Sequence, residues 1–184
     1  MFYTKVRKVL SPIRGTSKSA GIDFYVPEFT EQFLSDLIEK NSFSKKAFAL
    51  GLGRWTSAAK KSVTEQIKIT GFLLYPQERV LIPSGIHVNI PEGFALIAHN
   101  KSGIGSKHGL DRLAEVVDED YQGEVHLSIF NSGINEVTIM ENMKLIQFIL
   151  IPVLYDSIDE VPTLQELYPD KTERGEGGFG HTGH

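Results

Sequence analysis

Cysteine is absent from the sequence. That excludes disulfides, thiolate catalysis and cysteine-based zinc sites. No apolar run approaches the roughly 20 residues of a membrane-spanning helix. The start, Met1-Phe2-Tyr3-Thr4-Lys5-Val6-Arg7, lacks the long apolar core of a signal peptide. A cytoplasmic protein without membrane contact is therefore expected. A basic excess is missing too. The formal net charge is -4, which argues against a protein that coats nucleic acid by neutralising its phosphates. Basic residues can still converge locally on a small polyanion. No long repeat period is visible.

What is present is a globular composition and a length, 184 residues, that suits one domain with a real core. Residues 1–10 alternate well enough for a first strand, and Gly21 to Pro27 forms a short strand closed by proline. From Ile67 onward short apolar runs repeat between turn residues: Phe72–Tyr75, Val80–Ile82, Ile86–Ile90, Phe94–Ala98, Ala114–Val117, Val125–Phe130, Val137–Ile139 and Leu145–Val153. Such spacing predicts an all-β barrel or jelly-roll-like sandwich of short strands. Residues 28–70 differ. Phe33, Leu34, Leu37 and Ile38 recur at helical spacing, which predicts one short helix over Glu31 to Lys40 inside an insertion. The rest of that insertion, with Lys45-Lys46, Trp55 and Lys60-Lys61, suits either a surface loop or a segment that serves a lid or an unidentified protein partner.

Three stretches carry candidate chemistry. In Val116-Val117-Asp118-Glu119-Asp120-Tyr121-Gln122-Gly123-Glu124, strand leads into an acidic turn and out into strand. A carboxylate leaving a strand there is rigidly held yet faces open space, where it can take a proton from water or hold a cation. An ordinary acidic hairpin tip has the same pattern. Asn100 to Lys107 places cation, hydroxyl and glycine in sequence, as a phosphate-contact turn would. The tail from Glu173 to His184 contains Gly175, Gly177 and Gly180 at dinucleotide-fingerprint spacing, but that fingerprint needs a following helix and only four residues remain. What survives is a glycine-rich backbone whose amides can approach phosphate oxygens, helped by Arg174 and Thr182. His181 and His184 lie close together with no carboxylate or third histidine at ligand spacing, so no protein-built metal site is assigned.

Taken in order, five stretches resemble the five motifs of the homotrimeric dUTPases: Ala20-Gly21-Ile22-Asp23-Phe24, Lys101-Ser102-Gly103-Ile104, Val116 to Glu124, Lys144-Leu145-Ile146-Gln147-Phe148-Ile149, and Arg174 to Gly183. The resemblance covers nearly all of the chain outside 28–70. It implies a single domain over 1–184, a homotrimer, and hydrolysis of dUTP to dUMP and pyrophosphate. Asp118 stands where the family's aspartate activates the water that attacks the α-phosphorus, a role suited to a carboxylate. Tyr121 matches the tyrosine under the deoxyribose that leaves no room for a 2′-hydroxyl. The base pocket falls on the hairpin Leu110 to Val117, with Leu113, Ala114, Glu115 and Val117 as its candidates, and Phe179 matches the residue stacked over the base. Lys101, Ser102, Gly103, Gln147, Arg174, Gly180, His181 and Thr182 match phosphate contacts. Asp23 resembles a supporting aspartate paired with the cation of the fourth motif, here Lys144. The implied cofactor is Mg²⁺, held through phosphates and water rather than by the protein. Residues 171–184 would form a lid ordered by substrate over a neighbouring subunit's site.

Departures from the family pattern bear on these expectations. Lys101 and Lys144 replace arginines and lose the bidentate fork. His181 replaces a serine. Glu115 replaces a glycine, with Arg112 three residues earlier, so Glu115 either points outward or accepts from an exocyclic amine, as a carboxylate does from cytosine. Cleavage of dCTP or a 5-substituted dUTP is thus one alternative. A nucleotide-gated interaction protein that docks a partner through 28–70 is another. Deamination, the chemistry of the related dCTP deaminases, is disfavoured because Leu127 is followed by Ser128 rather than glutamate.

Overall fold

The computed structural model describes residues 1–41 and 71–178. Among these, the expected all-β architecture of short strands is borne out. The strands are β1 (Phe2–Lys5), β2 (Ile13–Arg14), β3 (Ile22–Asp23), β4 (Phe72–Leu74), β5 (Arg79–Pro83), β6 (Ile86–Asn89), β7 (Phe94–Asn100), β8 (Leu110–Arg112), β9 (Val116–Val117), β10 (His126–Asn131), β11 (Val137–Ile139) and β12 (Ile146–Pro152). They form four open sheets in the orders β1-β6, β5-β10-β8, β11-β4 and β2-β3-β12-β7-β9. All the pairings are antiparallel, the longest joining β12 to β7 from Ile146↔Asn100 to Pro152↔Phe94.

Alternation explains the core. On β10, Leu127 and Ile129 are buried, as are Val80 and Ile82 on β5 and Leu96 on β7. Phe24 and Phe148 meet with ring centroids 4.6 Å apart, and Phe29 stacks on Phe33. Each such side chain contributes about 2 kcal/mol by leaving water. Helix α1 runs over Glu31–Lys40, where the periodicity predicts it. Thr30 caps it by accepting from the Phe33 amide at 3.1 Å, and Phe33, Leu34 and Leu37 bury its apolar face. Asn41 ends it and pairs like a strand with β5: its amide oxygen accepts from Leu81 N at 2.7 Å and its amide nitrogen donates to Leu81 O at 2.8 Å. Residues 42–70 lie outside the described residues, so the aromatic and basic part of the insertion does too.

The Asn100–Lys107 stretch is not a plain turn. Helix α2 occupies Ser102–His108 and ends at Gly109. Gly103 and Gly105 lower helix propensity enough to hide it in the sequence. Two further corrections concern pairing. The strands flanking Asp118 do not pair with each other, because β9 pairs with β7 while β10 pairs with β5 and β8. Likewise the expected Leu110–Val117 hairpin has its two strands in different sheets. Leu113 N donates across to Ser128 O at 3.1 Å and Ala98 N to Glu115 O at 2.7 Å, so non-local partners take the bonds that a hairpin would have made.

The chain divides into two compact units, 1–153 and 154–184. In the second, helix α3 (Leu164–Leu167) is capped by Thr163, whose hydroxyl oxygen accepts from the Glu166 amide at 3.2 Å.

Candidate active site

Asp118 sits immediately after β9, at the point where the chain leaves the β7 edge and turns toward β10. The turn closes with Tyr121 N donating to Asp118 O at 3.2 Å. It is then pinned from outside. The Gly93 amide donates to Glu119 Oε2 at 2.7 Å, and His87 Nδ1 donates to the Gln122 carbonyl at 2.9 Å. The Tyr121 hydroxyl folds back to the Glu124 carbonyl at 3.0 Å. A Cβ on residue 123 would come within 2.3 Å of that hydroxyl, so glycine is required there for the ring to lie where it does. The Asp118 carboxylate itself is exposed and has no hydrogen-bonding or ionic partner among the described residues.

Asp118 lines a cleft of about 180 Å³ with Ala114, Glu115, Val116, Val117, Tyr121, Val125, His126, Phe148 and Leu81. Expected base and sugar residues therefore converge with the acid: Ala114, Glu115, Val117 and Tyr121. Leu113 is half exposed and does not line the cleft. Glu115 is held by Arg112, with its carboxylate 2.9 Å from the guanidinium, and Arg112 is in turn 3.0 Å from Asp111. A hydrogen bond from Asn100 holds the Asp111 carboxyl below the ordinary aspartate range, against burial and with help from Arg112.

A second, roomier pocket of about 370 Å³ is lined by Lys101, Ser102, Gly103, Ile104, Lys107, His108, Lys144 and Gln147. Four of the expected phosphate contacts meet there, but this pocket shares no lining residue with the Asp118 cleft. Two of its three lysines converge on one carboxylate. Asp23, only 6 % exposed, accepts a close hydrogen bond from Lys101 Nζ and has Lys144 Nζ at 3.4 Å. The expected Asp23–Lys144 pair is present, yet Lys101 makes the shorter contact. Lys144 also lies 5.2 Å from the centroid of the Tyr25 ring, and the Tyr25 hydroxyl is the main influence that raises its pKa, opposed by desolvation and assisted by Asp23. Gln147 donates to Asn100 O at 2.8 Å and so is oriented before any ligand arrives.

Arg174, in the second unit, donates from Nε to Gly177 O at 2.8 Å. Phe179, Gly180, His181 and Thr182 lie outside the described residues. Leu81 and His126 line the cleft without belonging to any of the five motif stretches. His126 keeps Nε2 buried without a partner among the described residues, and burial holds its imidazole pKa below the ordinary value despite the Glu124 charge. Its place two residues after Glu124 on β10 was the one available signal. Among the described residues, no helix is long and apolar enough to cross a membrane.

Known proteins resemble this chain in sequence and in fold. The family model described as dUTPase matches residues 69–183. The deoxyuridine 5′-triphosphate nucleotidohydrolase of Finegoldia magna is 40 % identical over 115 residues, covering 60 % of this chain and 76 % of that protein. That of Fusobacterium nucleatum is 39 % identical over 108 residues, covering 58 % and 70 %. Among solved structures, a dUTPase of Staphylococcus bacteriophage 80alpha with dUpNHpp superimposes with a TM-score of 0.68 at 18 % identity, covering 100 % of this chain and 98 % of that one. The dUTPase of the S. aureus phage phi11 gives 0.61 at 17 % identity, over 89 % and 97 %. The phage structures share the fold, the bacterial sequences match about 60 % of the chain, and the family model spans most of it: the chain belongs to the dUTPase family.

Proposed function

We propose that the protein is a cytoplasmic dUTP diphosphatase acting on the magnesium complex of dUTP. The observation that carries this reading is Asp118, an exposed carboxylate, unpaired among the described residues, on a turn held at several points beside a nucleoside-sized cleft. Water lying against Asp118 attacks the α-phosphorus while the carboxylate accepts its proton. The new bond joins the water oxygen to the α-phosphorus, and the bond from that phosphorus to the bridging oxygen breaks. Pyrophosphate leaves and dUMP remains. A turn that cannot relax keeps the acceptor in line, which is most of what such a transfer asks of a protein.

The donor chemistry fits a metal that arrives on the substrate. Around the second pocket the chain presents lysine ammonium groups, hydroxyl and amide, which bind phosphate and not magnesium. When bound, the ion neutralises phosphate charge. In this reading Ser102, Gly103 and Gln147 donate to phosphate oxygens. Lys101 and Lys144 supply positive field there while tied to Asp23. Tyr121 forms the sugar-side wall that excludes a 2′-hydroxyl.

Two pockets with no common wall in one chain support a homotrimer. The Asp118 cleft of one protomer would meet the Lys101–Gln147 pocket of the next. Glu115 is already engaged by Arg112, which favours uracil over a base that needs a free carboxylate as acceptor. A pyrophosphate-release screen over the deoxynucleoside triphosphates tests the reading. dUTP should be the preferred substrate, and equal or faster turnover of dCTP would overturn the uracil assignment.

A further inference from the structure

Arg7 follows β1 and is remote in sequence from every motif, yet its guanidinium binds two acids from different parts of the fold. Nε and Nη2 grip the two oxygens of Glu124 at 2.7 and 3.0 Å, and Nη1 lies 2.6 Å from Asp36 in the middle of α1. All three side chains are largely shielded, at 17, 14 and 22 % exposure. The planar fork fixes direction as well as distance. Glu124 also accepts from the Gly85 amide at 2.6 Å. A Cβ at Gly85, where φ is +76°, would sit 2.9 Å from the Arg7 Cβ, so the arginine stem passes directly over that turn. Electrostatics agree with the geometry. Burial pushes the Glu124 carboxyl up, but Arg7, the Gly85 amide and the His126 charge outweigh it, and the net shift is downward.

We propose that Arg7 is a positioning residue for the nucleotide site, joining helix α1 to the turn that carries Asp118 and Tyr121. The last step of the relay is short. The residue whose side chain Arg7 grips is also the one whose carbonyl holds the Tyr121 hydroxyl. Asp36 therefore acts on the sugar wall through two intermediates and without touching it. Helix α1 itself stays anchored by Phe33, Leu34 and Leu37 and by Asn41 on Leu81, so removing the Asp36 charge leaves it folded.

The inference rests on the reading of Tyr121 as the wall that selects deoxyribose, and the test separates the two. Steady-state kinetics with dUTP and UTP are compared for the wild-type full chain, Tyr121→Ala, Arg7→Gln, Arg7→Lys and Asp36→Asn. Amide exchange across 118–124 is followed in the same proteins. Arg7→Gln should narrow the dUTP-to-UTP ratio of kcat/KM about tenfold, with Arg7→Lys recovering part of it and Asp36→Asn narrowing it about threefold. Exchange in the turn should quicken in Asp36→Asn. A merely structural role lowers the amount of active enzyme and leaves the ratio alone. Unchanged exchange in Asp36→Asn overturns the relay. So does a wild-type ratio in the Arg7→Gln and Asp36→Asn variants when Tyr121→Ala has lost it. A wild type that turns over UTP as well as dUTP overturns the reading of Tyr121 instead, and the exchange data then judge the relay alone.

Discussion

Two aspartates of the same protein have opposite surroundings: Asp118 lines its cleft, while Asp23 is buried behind two lysines of the second pocket. Asp23 is buried and saturated, its oxygens shared between Lys101 and Lys144. Asp118 is exposed and unpaired among the described residues, although the turn around it is tethered at several points. One carboxylate is consumed in building a cationic surface. The other is kept free while its neighbours hold the chain still. Rigidity and availability are thus assigned to different groups: Glu119, Tyr121 and Glu124 form the bonds that Asp118 does not.

That contrast breaks most sharply at Asp118. Asp118→Asn should lower kcat for pyrophosphate release about 10³-fold while leaving nucleotide binding in place, since general-base contributions run that high and the shape of the cleft is retained. Pyrophosphate assays and calorimetric titration with a non-hydrolysable analogue would read the two effects separately. The same isosteric change at Asp23 should act the other way round. Asp23→Asn should cost about 2 kcal/mol in urea unfolding, because two lysines lose a shielded partner, with the loss limited by their access to water. Its effect on catalysis should appear mainly in KM, through a looser phosphate pocket.

Acid titration sharpens the comparison at the tethers. Glu124 has a folded pKa below its ordinary 4.5, so it stabilises the fold above that value, and the contribution is lost as pH falls through the folded pKa. His126, depressed below 6.5 by burial, resists protonation in the folded state while the unfolded chain accepts it. Its stability loss therefore begins as pH drops below 6.5, earlier than that of Glu124. His126→Asn should remove the upper phase and Glu124→Gln the lower one in unfolding curves taken across pH. The smallest effect is expected at Glu115, which Arg112 already engages. Glu115→Gln should change the ratio of dUTP to dCTP turnover by less than about threefold.

Much of this was legible in the residues. The predicted helix over Glu31 to Lys40 matches α1 because its apolar face has a clear 3.6-residue period. Strands such as Phe72–Leu74 and Val137–Ile139 match because alternation survives in them. Helix α2 was hidden by its two glycines, and β8 by Leu110-Asp111-Arg112, whose strand conformation comes from pairing with β10 rather than from any pattern of its own. Asp118, Tyr121, Ala114, Glu115 and Val117 were readable as one site because they lie close together in sequence. Lys101 on Asp23 was not readable, since either motif cation is chemically able to take that carboxylate.

The order of residue types along the chain determined the class of fold, the family and the candidate acid, because local periodicity and short motifs are properties of neighbouring residues. Tertiary structure alone decided which groups meet across long separations. Arg7 reaches Glu124 over 117 positions and Lys101 reaches Asp23 over 78. It also decided that the flanks of Asp118 belong to different sheets and that four of the phosphate candidates gather in a pocket of their own. Such contacts depend on how sheets stack and on which buried charge finds a partner, and no window of sequence contains both halves of the bond.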